Sequence, residues 1–216
     1  MENEILTRLR EQWQQLTVKL PKETEAKENC LQGLIEAYSE PHRFYHTLKH
    51  LDAVLKHLHL MQEGKPVSDE VQFAAWYHDV VYNPRASDNE ARSADWAVRD
   101  LSIMGLNPEA IKSVVQLILA TKHTSRDFPD EQTALLLDAD LAVLGDSSNE
   151  YQDYADEIRR EYAFVPEADY RAGRANVLRS FLDRPKIYFT KTMEGDREFS
   201  ARKNLSAEIE RLERPS

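Results

Sequence analysis

The sequence is short of the residues that interrupt helices. Six glycines and nine prolines in 216 residues leave few sites for tight hairpin turns, whereas the good helix formers Leu, Ala, Glu, Gln, Lys and Arg are abundant. An all-α chain is expected. A single cysteine, Cys30, excludes an internal disulfide. It stands beside Leu31 and near Leu34 in an apparent helix, where it reads as a small packing residue without chemistry of its own. Positive charge is also lacking, with 28 Lys and Arg against 38 Asp and Glu, a formal net charge of -10. That balance argues against nucleic acid or an anionic membrane surface as the main partner. No apolar run is long enough to span a bilayer and no signal sequence is evident, so a cytoplasmic protein is expected. Nor is there an internal repeat, a low-complexity tract or a Gly/Ser linker, so one domain covering residues 1–216 is expected.

What is present is helical periodicity. Ile5, Leu9, Trp13, Leu16 and Leu20 recur at helical spacing, and a second helix is expected from Pro21, a residue favoured in the first turn. "PHRFYHTLKHLDAVLKHLHLM" carries Leu48, Leu51, Leu55 and Leu58 on one face. Ser68 is placed to cap "DEVQFAAWYHDVVY", a helix apolar almost all round. Ser87 and Glu90 form a capping-box pattern ahead of a helix that Gly105 closes, and Asn107-Pro108 opens the next. Further on, Tyr151, Tyr154, Ile158 and Tyr162 share one face, as do Val177, Leu178 and Phe181, and the last segment, "SARKNLSAEIERLER", reads as a polar, peripheral helix.

Three places break the apolar pattern with groups that can ligate a metal: His46 in "FYHTLKHL", His78-Asp79 in "WYHDVV", and the acids of "LLLDADLAVLG". A buried carboxylate is costly unless a cation or several donors compensate it. Two imidazoles and two carboxylates would make a mixed nitrogen and oxygen site suited to Mn, Fe, Co, Ni, Zn or Mg. Such an ion acidifies water and polarises a phosphoryl oxygen, the two requirements of phosphoester hydrolysis. Asp138 and Asp140 lie about 200° apart around a helix, so both cannot face one ion.

The order His46, His78-Asp79, Asp140, with "YHTLKH", "WYHDVVYNP", "DNEARSA", "DADLAVLG" and the Tyr-rich "YADEIRREYAFVP", resembles the HD superfamily of metal-dependent phosphohydrolases. The resemblance is to its small branch of predicted phosphohydrolases and spans roughly residues 35 to 190. It implies an HD-domain helical bundle with extra N- and C-terminal helices, and one divalent ion held by His46, His78, Asp79 and Asp140, with Asp140 favoured over Asp138 because it follows Ala and precedes a large residue. It implies hydrolysis of a small phosphoester, a nucleotide or nucleoside monophosphate, by water that the ion activates. Cyclic-nucleotide phosphodiester cleavage and a non-catalytic metal-dependent binding or sensing module are the alternatives. A small phosphorylated substrate and a second copy of the chain are the partners to be considered.

The remaining site residues stay open between a role at the site and an ordinary structural one. Some nucleotidases of the superfamily carry an acid one turn after the doublet, where this chain has Tyr82. Glu90 is then the nearest fitting acid, either a base that orients water or a capping-box glutamate, and Asp79 itself or metal-bound hydroxide alone are the other candidates. His50, one helical turn after His46, is read as a phosphate donor, a ligand orienter or a polar rim residue. His123 is either a cation at a helix C-terminus or a ligand of phosphate or of a second ion. Arg43 and Lys122 are the best-placed cations to hold a phosphate, as set against solvated surface charges.

Overall fold

The computed structural model describes residues 2–61, 66–124 and 128–214, and every regular element among them is helical. None of these helices is long and apolar enough to cross a membrane. The chain divides into two compact units, Met1–Ser125 and Arg126–Ser216.

The first unit contains α1 (Glu2–Thr17), α2 (Thr24–Tyr38), α3 (Leu48–Leu60), α4 (Asp69–Tyr77), α5 (Asn89–Met104) and α6 (Pro108–Ala120). Helix α4 is its centre and packs on α3, α5 and α6. That explains its lack of a polar face: Val71 and every residue from Phe73 to Tyr77 are buried. Trp13 of α1 meets Trp76 edge-on at 5.1 Å and Phe73 at 6.2 Å, and its indole N–H donates to the Lys27 carbonyl at 3.0 Å. Helix α1 is also fastened to α3 by charge, because the buried Asp52 carboxylate accepts from Arg8 Nε at 2.7 Å and Nη2 at 2.8 Å. The expected caps are in place at Ser68, which accepts from the Val71 amide, and at Asn107, which accepts from the Ala110 amide. Gly105 ends α5 at φ 83°, a conformation that disfavours other residues.

Three local expectations are corrected. Pro21 is not in the first turn of α2, which begins at Thr24; the ring packs instead where a Cβ on Gly105 would come within 2.8 Å of it. Ser87 does not cap α5. The helix starts one residue later, behind Asp88, so Glu90 is not the third residue of a capping box. And α3 begins only at Leu48, where the Thr47 hydroxyl accepts from the Lys49 amide, so His46 lies in the preceding turn.

The second unit contains α7 (Glu131–Asp140), a 3₁₀ turn (Leu141–Gly145), α8 (Ser148–Glu161), α9 (Glu167–Leu182) and α10 (Lys191–Glu213). Helix α8 opens with a complete capping box, Ser147 with Glu150. The face expected for α8 is half realised, with Tyr151 and Ile158 buried and Tyr154 and Tyr162 only partly so; on α9, Leu178 is buried but Val177 is not. The expected peripheral helix is a correction in the other direction. It is the C-terminal part of α10, the spine of this unit, and its Ala201, Asn204, Leu205, Glu208 and Ile209 are buried. Hydropathy misleads here because the inward polar groups have dedicated partners: Asn204 Nδ2 donates to the Leu144 and Asp146 carbonyls at 3.0 and 2.9 Å.

Asp138 accounts for one of the two acids in "DADL". It is fully buried and accepts from the amides of Phe189, at 2.9 Å, and Thr190, at 2.7 Å, just where α10 begins. A carboxylate at a helix N-terminus satisfies orphan amides and complements the dipole. Asp138→Ala is therefore expected to destabilise the protein by roughly 1–3 kcal/mol, the cost of leaving two part-buried amides without their acceptor. A loss below about 0.5 kcal/mol in urea denaturation, the range of ordinary surface substitutions, would remove this assignment.

Candidate metal centre

The His-Asp doublet stands where α4 runs out of helix. His78 holds the C-cap position, with its amide still bonded to the Ala74 carbonyl at 2.9 Å. Its Nδ1 lies 2.8 Å from the Ala75 carbonyl. A carbonyl only accepts, so Nδ1 carries a proton, and in the neutral ring Nε2 is the nitrogen left to ligate. That nitrogen lies 3.2 Å from His50 Nε2 and 3.2 Å from Asp79 Oδ2, and His50 Nε2 is 3.5 Å from the same carboxylate oxygen. His50 and His78 are buried, and about a fifth of the Asp79 side chain is exposed. The Asp79 amide donates to the Tyr38 hydroxyl at 3.3 Å, which donates in turn to the Trp76 carbonyl at 3.2 Å.

One ligand atom from each of His50, His78 and Asp79 thus falls within 4.8 Å of the others, and these three residues can hold a metal ion. The donor set supports the fit. Two imidazole nitrogens facing each other at 3.2 Å beside a carboxylate compensate one another poorly without a proton or a cation among them. Imidazole with carboxylate suits Mn, Fe, Co, Ni or Zn, whereas calcium favours oxygen alone. The backbone carbonyl behind His78 also fixes its tautomer and orientation, as expected of a metal-ligating histidine. Burial by itself would push the Asp79 carboxyl up, but the surrounding imidazoles of His78, His46 and His50 outweigh it and hold the group well below its usual 3.8.

No family model, curated protein or solved structure matches the chain. The geometry therefore has to carry the reading, and it rearranges the expected roles. His50, expected as a helper, is in the tight group, while His46, expected as a ligand, stands at its margin with Nε2 4.0 Å from Asp79 Oδ2. The start of α3 at Leu48 is the reason. His50 projects from the first turn of a helix into the core, but His46 belongs to the turn before it and stacks on Tyr82 at 4.1 Å. The two imidazoles still approach, 5.7 Å between ring centroids, though not through a shared helical face.

The expected phosphate cation Arg43 is a correction. Its side chain is fully buried, and its donors are directed at protein oxygens: Nε at Glu40 (3.0 Å), Nη1 at the carbonyls of Asp79 (2.7 Å) and His46 (3.2 Å), and Nη2 at the carbonyl of Val80 (2.9 Å). A guanidinium so engaged cannot hold a substrate phosphate. Lys122 is exposed, with its ammonium on the Ser87 carbonyl at 2.9 Å. His123 follows α6 at φ 53°, a backbone region that non-glycine residues seldom occupy. Glu90 is half-buried in the first turn of α5, and that turn is docked on the segment just after the doublet: Asn89 exchanges hydrogen bonds with Asn83, and Ser93 Oγ accepts from the Val81 amide. Asp140 is the last residue of α7 and half-buried, while the carboxylate of Asp138 is engaged by the start of α10. Sequence reasoning passed over the stack in which the Tyr82 ring lies near-parallel to the imidazoles of His46, at 4.1 Å, and His42, at 6.4 Å. No spacing rule points to it.

Proposed function

We propose that this chain is a metal-dependent phosphohydrolase that cleaves a small phosphoester, a nucleotide or nucleoside monophosphate being the substrate class. The observation that carries the reading is the convergence of His50 Nε2, His78 Nε2 and the Asp79 carboxylate on one point. The order of motifs, which resembles that of the HD superfamily, supports it, and that resemblance implies Asp140 and His46 as further ligands. The ion, when bound, would supply Lewis acidity towards water and phosphoryl oxygen at neutral pH. The chain's own part is to orient and to compensate. His78 is held by Ala75 so that its lone pair faces inward. Asp79 supplies fixed negative charge that draws a cation into an otherwise apolar setting. Glu90, carried on the turn docked behind the doublet, is the acid proposed to orient the attacking water and accept its proton. With Arg43 engaged elsewhere, Lys122 and His123 are the cations proposed for the substrate phosphate.

The test is metal analysis of the purified protein, followed by phosphate release from a panel of nucleotides and phosphomonoesters with Mn, Fe, Co, Ni, Zn and Mg, with His78→Ala as control. Metal-dependent turnover that the variant lacks is expected. A stoichiometric ion without turnover on any substrate would instead indicate a binding or structural site, and absence of any bound ion would remove the ligand set itself.

A further inference from the structure

Arg43 does work that neither its expected role nor the ligand set describes. Helix α4 ends at Tyr77, so the carbonyls of Asp79 and Val80 lie beyond its hydrogen-bond ladder. The Arg43 fork takes both, at 2.7 and 2.9 Å, and the same Nη1 takes the carbonyl of His46 at 3.2 Å. One planar cation therefore joins the turn that leads to His46 and His50 to the peptide that carries Asp79. The fork is itself held: Glu40 accepts from Nε at 3.0 Å, and the guanidinium carbon lies 5.2 Å from the Tyr38 ring centroid and 5.5 Å from that of Tyr82. Those two rings lead back to the site, because Tyr38 accepts from the Asp79 amide and Tyr82 stacks on His46.

We propose that Arg43 is a positioning residue for the metal centre, setting the distance between Asp79 and the imidazoles of His46 and His50 by clamping the backbone of the turn before α3 to that of residues 79 and 80, and contributing no direct ligand or substrate contact. The proposal rests on the metal-site reading above. Its mechanism is geometric. Lysine keeps the charge, but a single ammonium cannot reproduce a planar fork across three carbonyls while lying between two aromatic rings.

The deciding comparison is wild type, Arg43→Lys and Arg43→Met, with Arg8→Lys as a control for general weakening of the same unit. Cobalt binding is followed by calorimetry and by its visible spectrum, and amide hydrogen exchange is followed without metal. In both Arg43 variants the cobalt Kd should rise about ten- to a hundred-fold, as outer-shell substitutions typically do. The cobalt bands should change shape, and exchange should quicken in residues 44–47 and 79–82 beyond any change in α1 and α2. Arg8→Lys should keep the wild-type Kd and spectrum. Unchanged binding in Arg43→Lys overturns the proposal and leaves the metal site standing, and so does an equal loss in Arg8→Lys, which would mark the effect as general destabilisation. A wild-type protein that takes up no cobalt defeats the metal reading, and the role of Arg43 falls with it.

Discussion

Asp79→Asn is expected to lower metal affinity by about two to three orders of magnitude and to reduce metal-dependent phosphate release to background, while the protein stays folded. The substitution keeps the shape of the side chain and removes a formal negative charge that lies directly beside His50 and His78. Loss of an outer-shell partner typically costs ten- to a hundred-fold in affinity, and a charged direct ligand should cost more. The fold should survive because the backbone anchors of residue 79 do not use the carboxylate: its amide reaches Tyr38 and its carbonyl is held by Arg43. The pH dependence has a definite sign. The folded pKa of Asp79 lies below its usual 3.8, so its stabilising contribution is present above that value and is lost as the pH falls from 3.8 through the folded value. Asp79→Asn should lack this component of acid destabilisation. Calorimetric titration with Mn, Co and Zn, together with thermal melts from pH 7 to 3, would check both statements. Wild-type affinity in the variant would remove Asp79 from the ligand set.

Much of this site is legible in the chain because the signal lies in burial rather than in exact spacing. An imidazole and a carboxylate at the end of a helix as apolar as α4 must be compensated, and that argument holds wherever the helix ends. The DADL acids divide for a similar reason: two positions about 200° apart cannot serve one partner, and Asp138 proves to be the one engaged by the amides at the start of α10. Arguments that depend on a helix boundary fail instead. The pairing of His46 with His50 assumed a helix through residue 46, and one hydroxyl, Thr47, moves the start past it. Glu90 as a capping-box residue assumed a cap at Ser87, and a shift of one residue undoes it. Arg43 is legible only as a cation near the site, and the groups it binds are not. Its partners are backbone carbonyls up to 37 residues away, and a carbonyl leaves no mark in a sequence. The same limit applies to α10, whose inward polar residues look like surface residues until their partners are known.

That last case leads to the second large effect. Glu208→Ala is expected to destabilise the protein by about 3–5 kcal/mol, the cost of leaving a buried partner charge uncompensated. Arg174 on α9 donates to Glu208 through Nε at 3.0 Å and Nη2 at 3.2 Å, with side-chain exposures of 9% and 2%. The Tyr151 hydroxyl of α8 donates to the same carboxylate, and Arg174 Nη1 reaches the Tyr154 hydroxyl at 3.3 Å. One acid on α10 therefore fastens both α8 and α9, and burial together with the nearby carboxylate pushes the Tyr151 hydroxyl far above its usual pKa of 10.0. Removing Glu208 strands a guanidinium and a phenol at once. Replacing both charges should behave differently. Glu208→Leu combined with Arg174→Met removes the desolvation penalty along with the attraction, so this pair should recover most of the loss in urea denaturation, because a buried ion pair contributes little net stability over well-packed apolar residues. A double variant as unstable as Glu208→Ala would show instead that the two tyrosine contacts, which no apolar side chain replaces, hold this part of the second unit together.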